Sequence, residues 1–189
     1  MSAVHDAWLE IEQSIAAARD AGSIRPEIAL DDVPAPIRLA KHGLAIAGEI
    51  VTADDEELGH GRFVLLHEPG GQDTWQGDTR AVVFVKALLE PELAVDPMLL
   101  DVGWDWLTES LERQGLVVTA LSGTVSRTGS QGFGDIAGRE PEGAIEIRAS
   151  WTVAPEFAAG SLLAWADLLA TASGLVPLQD GVRSIRGKL

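Results

Sequence analysis

The chain has no cysteine and no tyrosine, and only three of its 14 cationic residues are lysine. Without thiols there is no disulfide scaffold, no thiolate metal site and no thiol nucleophile. No apolar run approaches the roughly 18 residues that a membrane-spanning helix needs. The opening MSAVHDAWLEIEQ has acids where a secretory leader would carry basic residues ahead of an apolar core. A soluble, cytoplasmic protein is expected. Positive charge is scarce, with 14 Lys and Arg against 29 Asp and Glu and a formal net charge of −15. Such a body is repelled by phosphate backbones and anionic headgroups, so neither nucleic acid nor a membrane surface is an expected partner. Catalytic strings are missing as well: there is no HExxH, Walker phosphate loop, G-x-S-x-G elbow or EF-hand spacing.

What is present fits one domain. The chain has 189 residues, 46% of them hydrophobic, enough for a substantial core. Trp8, Ile11, Ile15 and Ala18 recur at helical spacing before Gly22. The proline-rich stretch 23–37 reads as an extended linker. Over 37–51 two apolar stripes, Ile37, Ala40, Leu44, Ala47, Val51 and Leu39, Ile46, Ile50, predict a helix buried on more than one side. A strand over 62–67 and an alternating strand over 79–90 form a hairpin around the turn-rich EPGGQDTWQGD. Residues 96–115 predict a central helix with Asp96 and Pro97 at its start, a second start at Asp101 after an irregular turn at Gly103, and Trp104, Leu107 and Leu111 facing inward. Strands over 116–128 and 145–153 flank a glycine-rich loop, 129–143. A last helix over 157–173 buries Leu162, Trp165, Leu169 and Ala172 ahead of Gly174. The expected class is α+β, with an antiparallel sheet of four or more strands, helices on one face, and the order α-α-β-β-α-β-β-α. The domain is expected to span 1–177, followed by a flexible basic tail, 178–189. The two ββα units show no repeat at the residue level.

Candidate chemistry lies in distribution rather than in motifs. Arg62, Arg80, Lys86, Arg127 and Arg148 sit on predicted strands that carry few acids. Arg80, Lys86 and Arg148 are expected on the non-core face with Ser122, Thr124, Ser126, Ser150 and Thr152, a locally cationic surface suited to an anionic ligand or an acidic peptide. Pairing with acids across strands is the bland alternative. Trp75, in the hairpin loop, and Trp106, off the main helical stripe, are candidate binding anchors. His60 and His67, seven residues apart near Glu56 and Glu68, lack a specific metal geometry, and no metal is expected. Glu90 and Asp96 read as a strand end and a helix cap. Gly132, Gly134 and Gly138 precede REPEG instead of an apolar helix, which argues against a dinucleotide loop. No cofactor is expected.

Several strings in one order, GRFVLLHEPGGQDTWQGDTR, LLEPELAVDPMLLDVGWDWLTESL, SGTVSR, FGDIAGR, EIRASW and AWADLLATASGLVPL, resemble an actinobacterial family described as a domain of unknown function, number three thousand in that series. The similarity runs from about residue 37 to 177. It implies an intracellular actinobacterial protein and supplies no catalytic residue to carry over.

The leading expectation is therefore a non-enzymatic binding or adaptor protein that holds a protein, a peptide or an anionic small molecule on the polar sheet face, with Trp75 and the glycine-rich loop. The alternative is an enzyme with its pocket under loop 129–143, Arg80 and Arg148 binding an anionic substrate, and Glu90 or His67 as the acid-base group. A homodimer formed through an open sheet edge or an exposed tryptophan patch is a third expectation.

Overall fold

Why the first helix forms is visible in its burial: Trp8, Ile11 and Ile15 are its inward stripe, and Gly22 follows its end at φ +67. The structure is a computed structural model describing residues 3–36 and 38–176. The elements are α1 (Ala3–Asp20), β1 (Ile28–Val33), β2 (His42–Val51), β3 (Glu57–Gln72), β4 (Gly77–Leu89), the one-turn α2 (Pro91–Ala94), α3 (Leu99–Arg113), β5 (Thr119–Ser130), β6 (Glu142–Thr152) and α4 (Ala158–Ala172). The strands form a single antiparallel sheet in the order β1-β2-β3-β4-β6-β5. The α+β class and the antiparallel sheet are as expected; the order of elements is not.

The largest correction concerns 37–51. Residues 42–51 are a strand, β2, instead of a buried helix; Ile37 lies outside the described residues. Both faces of this stretch are apolar, so helical and alternating spacing fit the same residues. Composition favours the strand, since Ile46, Ile50 and Val51 are β-branched and Gly43 and Gly48 weaken a helix. Pairing with β1 and β3 then puts Leu44, Ile46 and Ile50 on one face. The expected linker correspondingly contains β1. The tail expected over 178–189 lies outside the described residues.

All three long helices pack on one face of the sheet. Trp165 of α4 fits there because β2 offers Gly48, where an added Cβ would stand 2.7 Å from the indole. On α3, Gly103 lies in the helix interior, not at an irregular turn. A Cβ there would meet Ile145 Cδ1 at 2.8 Å and Val125 Cγ1 at 2.9 Å, so the missing side chain lets α3 lie close over β5 and β6. Trp151 and Trp165 are fully buried, with the Trp151 Nε1–H donating to Ser161 Oγ at 3.0 Å. Burying one such ring contributes about 2–3 kcal/mol. Both α3 and α4 end as their glycines predict: Leu116 N–H donates to the Leu111 carbonyl and Leu175 N–H to the Ala170 carbonyl, behind Gly115 and Gly174 at positive φ. Among the described residues no helix is long and apolar enough to cross a membrane.

Candidate functional site

The second face of the sheet carries no helix among the described residues. Alternation along β4 sends Ala81, Val83, Val85 and Ala87 to the helices and Val82, Phe84, Lys86 and Leu88 the other way. Antiparallel register spreads that parity into transverse rows. Ala47, Arg62, Phe84, Arg148 and Thr124 form one; Ala45, Val64, Val82, Ser150 and Ser122 the next. On the other side lie Glu49, His60, Lys86, Glu146 and Ser126. One end of this face is flanked by residues 38–41, tied to β3 by Lys41 N–H donating to Glu68 Oε2 and Gln72 Nε2 donating to the Leu39 carbonyl.

Its centre is an arginine pair. Arg148 lays its guanidinium over the Phe84 ring, 5.1 Å from the centroid, and bonds Glu146 Oε2 at 3.0 Å while 65% of its side chain stays exposed. Stacking supports the stem and leaves donors free to face a ligand. Arg62, on the other flank of Phe84, is exposed and has no ion pair among the described residues. Two strand spacings, about 10 Å, separate the two backbones. Between them Arg62, Val64, Val82, Phe84 and Arg148 line a hollow of about 390 Å³. A second, of about 440 Å³, continues over Ser122, Thr124 and Ser150 and shares Val82 and Arg148. The result is an open trough with an apolar floor, cationic flanks and hydroxyls at one end.

The expected binding residues are distributed unevenly. Lys86 and Arg148 lie in adjacent rows of the trough face. Arg80 shares the face but is buried: its Nη1 donates to the Ala120 carbonyl at 3.0 Å and Thr152 Oγ1 at 3.1 Å, and its Nη2 to Ser150 Oγ at 2.7 Å. Burial pulls its pKa below the ordinary arginine value. The Ala120 carbonyl is presented by a register jump between Thr119 and Ser122, with Ala120 at φ 48. Arg80 thus pins the start of β5 across β6. Trp75 sits half-buried in the β3–β4 turn, its carbonyl accepting from the Thr152 hydroxyl at 2.6 Å. Seven residues of β4, about 23 Å, separate that turn from Phe84. Trp106 is half-buried on the helix side. Arg62, Val64, Val82 and Phe84 are the residues that sequence reasoning left out of the site; the signal for Arg62 was its place before the core residue Phe63, which turns it outward.

The two histidines of β3 point to opposite faces, as an odd spacing dictates. His67 is buried among the helices, stacked with Trp8 and beside His42. Its Nδ1 is 2.9 Å from the Thr79 hydroxyl, which donates to Asp78 Oδ1 at 2.9 Å. Burial chiefly, and His42 secondarily, lower its pKa against the opposing pull of Asp78 and Glu68. Among the described residues no group of three or more His, Asp and Glu is placed to hold a metal ion. The residues of the enzyme alternative do not converge. Arg80 pairs with Thr152 at one end of β6, whereas Glu90 and the loop 131–141 lie beyond the Leu89–Gly143 pair, about 30 Å along the strands. His67 faces the helices.

A sequence model of the family described as "Protein of unknown function (DUF3000)" matches residues 7–183. No curated protein and no solved structure matches the chain.

Proposed function

The chain belongs to the DUF3000 family of proteins of unknown function, and on that premise we propose that it is a binding module whose uncovered sheet face holds an acidic, partly apolar polypeptide segment. The observation that carries this is the row Arg62, Phe84, Arg148: two outward guanidiniums bracketing an aromatic floor, on a chain whose net charge is otherwise strongly negative. Carboxylates of a partner meet the guanidiniums, its apolar side chains cover Val64, Val82 and Phe84, and Ser122, Thr124 and Ser150 take backbone or polar groups. The trough is too open to enclose a small molecule, since ligand pockets ordinarily bury most of their ligand.

The test uses a fluorescein-labelled peptide of alternating glutamate and leucine, with a lysine-leucine peptide as control. Anisotropy is expected to rise for the acidic peptide alone, to fall with added salt, and to lose most of its amplitude in the double variant Arg62→Ala, Arg148→Ala. Equal binding of both peptides, or binding untouched by the double variant, rejects the assignment.

A further inference from the structure

The sheet has two edges, and they are built differently. β1 is six residues long, stands between Pro26 and Pro34, and carries the exposed acids Asp31 and Asp32, the latter held by Arg19 at 2.7 Å. Short length, proline and charge are the devices that keep an edge strand from pairing with another chain. β5 is neither short nor interrupted by proline, and it carries no acid. It runs twelve residues without proline, and its one charged side chain, Arg127, donates to the Asp96 carbonyl. From Ser122 to Ser130 its ladder with β6 is free of irregularity, and all but one of those nine residues are exposed.

That same run, SGTVSRTGS, reads almost identically in both directions. About Ser126 as centre, Ser122 mirrors Ser130, Gly123 mirrors Gly129 and Thr124 mirrors Thr128; only Val125 and Arg127 differ. An antiparallel strand pair around a two-fold axis sets each residue opposite its mirror position.

We propose that β5 pairs with β5 of a second copy, antiparallel and with the two-fold axis at Ser126, joining two six-stranded sheets into one of twelve. Serines and threonines then face their own kind, pairs that hydrogen-bond across strands, and glycine faces glycine. Val125 packs on the aliphatic stem of the mate's Arg127. Because the axis is perpendicular to the sheet, the helices of both copies stay on one side. Gly103 places α3 over the β5–β6 boundary, so the two α3 helices lie about 10 Å apart, a normal packing distance. The flank of α3 bearing Leu111 and Gln114 faces α4, where Gln114 bonds Asp167 at 3.2 Å. Trp106 is turned toward the other flank and the seam. The charge of −15 on each copy opposes association, so the dimer tightens as salt screens it. This proposal rests on the edge and not on the trough.

The absence of cysteine makes the register testable. Ser126→Cys is expected to form a reducible dimer of twice 20.0 kDa under mild oxidation, because each new thiol faces itself. Ser122→Cys alone is expected not to cross-link, whereas Ser122→Cys mixed with Ser130→Cys does. No cross-link at 126, or an equal yield from Ser122→Cys alone, overturns the register. For the unaltered chain, sedimentation equilibrium is expected to show a dimer strengthened by salt; a 20.0 kDa species throughout the dilution series overturns the pairing itself. Ser126→Asp is expected to dissociate the dimer, while Arg62→Ala, Arg148→Ala, which removes peptide binding, dimerises normally. The two proposals therefore fail separately.

Discussion

Val82 and Val83 are neighbours on one strand, identical in chemistry, and 37% and 3% exposed. The difference between the two sheet faces is thus not one of hydrophobicity along β4, where both sides are largely apolar. It lies in what the flanking strands present. Toward the helices β2 and β3 offer Gly48 and Gly61, which make room for Trp165. On the opposite side the positions flanking Phe84 are Arg62 and Arg148, whose length and charge keep a helix from settling. A sheet face is covered where small residues admit a large ring, and left open where cations occupy the centre.

The sharpest way to break the covered side is Trp165→Ala, expected to cost about 3–5 kcal/mol, measured by urea unfolding. Next, Val83→Ser is expected to cost about 2–3 kcal/mol through lost burial and a hydroxyl without a partner, whereas Val82→Ser stays within about 0.5 kcal/mol. Equal costs for the two serines would remove the distinction between the faces. Arg80→Ala, which leaves the Ala120 carbonyl and two hydroxyls without their donor, is expected to lose about 1–3 kcal/mol and to retain peptide binding. The smallest effect concerns pH. His67 has a folded-state pKa below its unfolded value near 6.5, so the unfolded chain binds the proton more readily. Its contribution is complete above that value and is lost as pH falls from about 6.5 toward the lowered folded pKa. Thermal melts from pH 8 to 5 should show this slope, and His67→Gln should flatten it; an unchanged slope assigns the effect to other groups.

Much of the fold was legible where one face alone is apolar. β6 alternates Ile145, Ile147, Ala149 and Trp151 against polar neighbours, Val153 continues the pattern just past its end, and all five are buried. The last helix is buried around most of its circumference and was readable instead from Leu162, Trp165 and Leu169 recurring every three or four residues ahead of Gly174. β2 was not legible, because an apolar residue at nearly every position satisfies both periods and only its pairing with β1 and β3 selects one. The trough was half legible. Alternation places Arg148 and Lys86 on the outer face, but that Arg62 and Arg148 share a row with Phe84 depends on register across three strands. The burial of Arg80 depends on a backbone irregularity forty residues away in sequence, at Ala120. The near-mirror string in β5 was readable as letters; its meaning required knowing that β5 is an edge.

Trp165 stands directly behind the trough. Its Nε1–H donates to the carbonyl of Phe84 at 3.2 Å, through a sheet one backbone thick. In a chain without tyrosine all strong near-ultraviolet emission comes from six indoles, and this one is bonded to the very peptide group whose side chain forms the trough floor. A partner pressed against Phe84 changes the field at that carbonyl and hence the colour of the light the indole emits. The protein carries its own optical gauge, mounted on the dry side of the wall and reading the wet side.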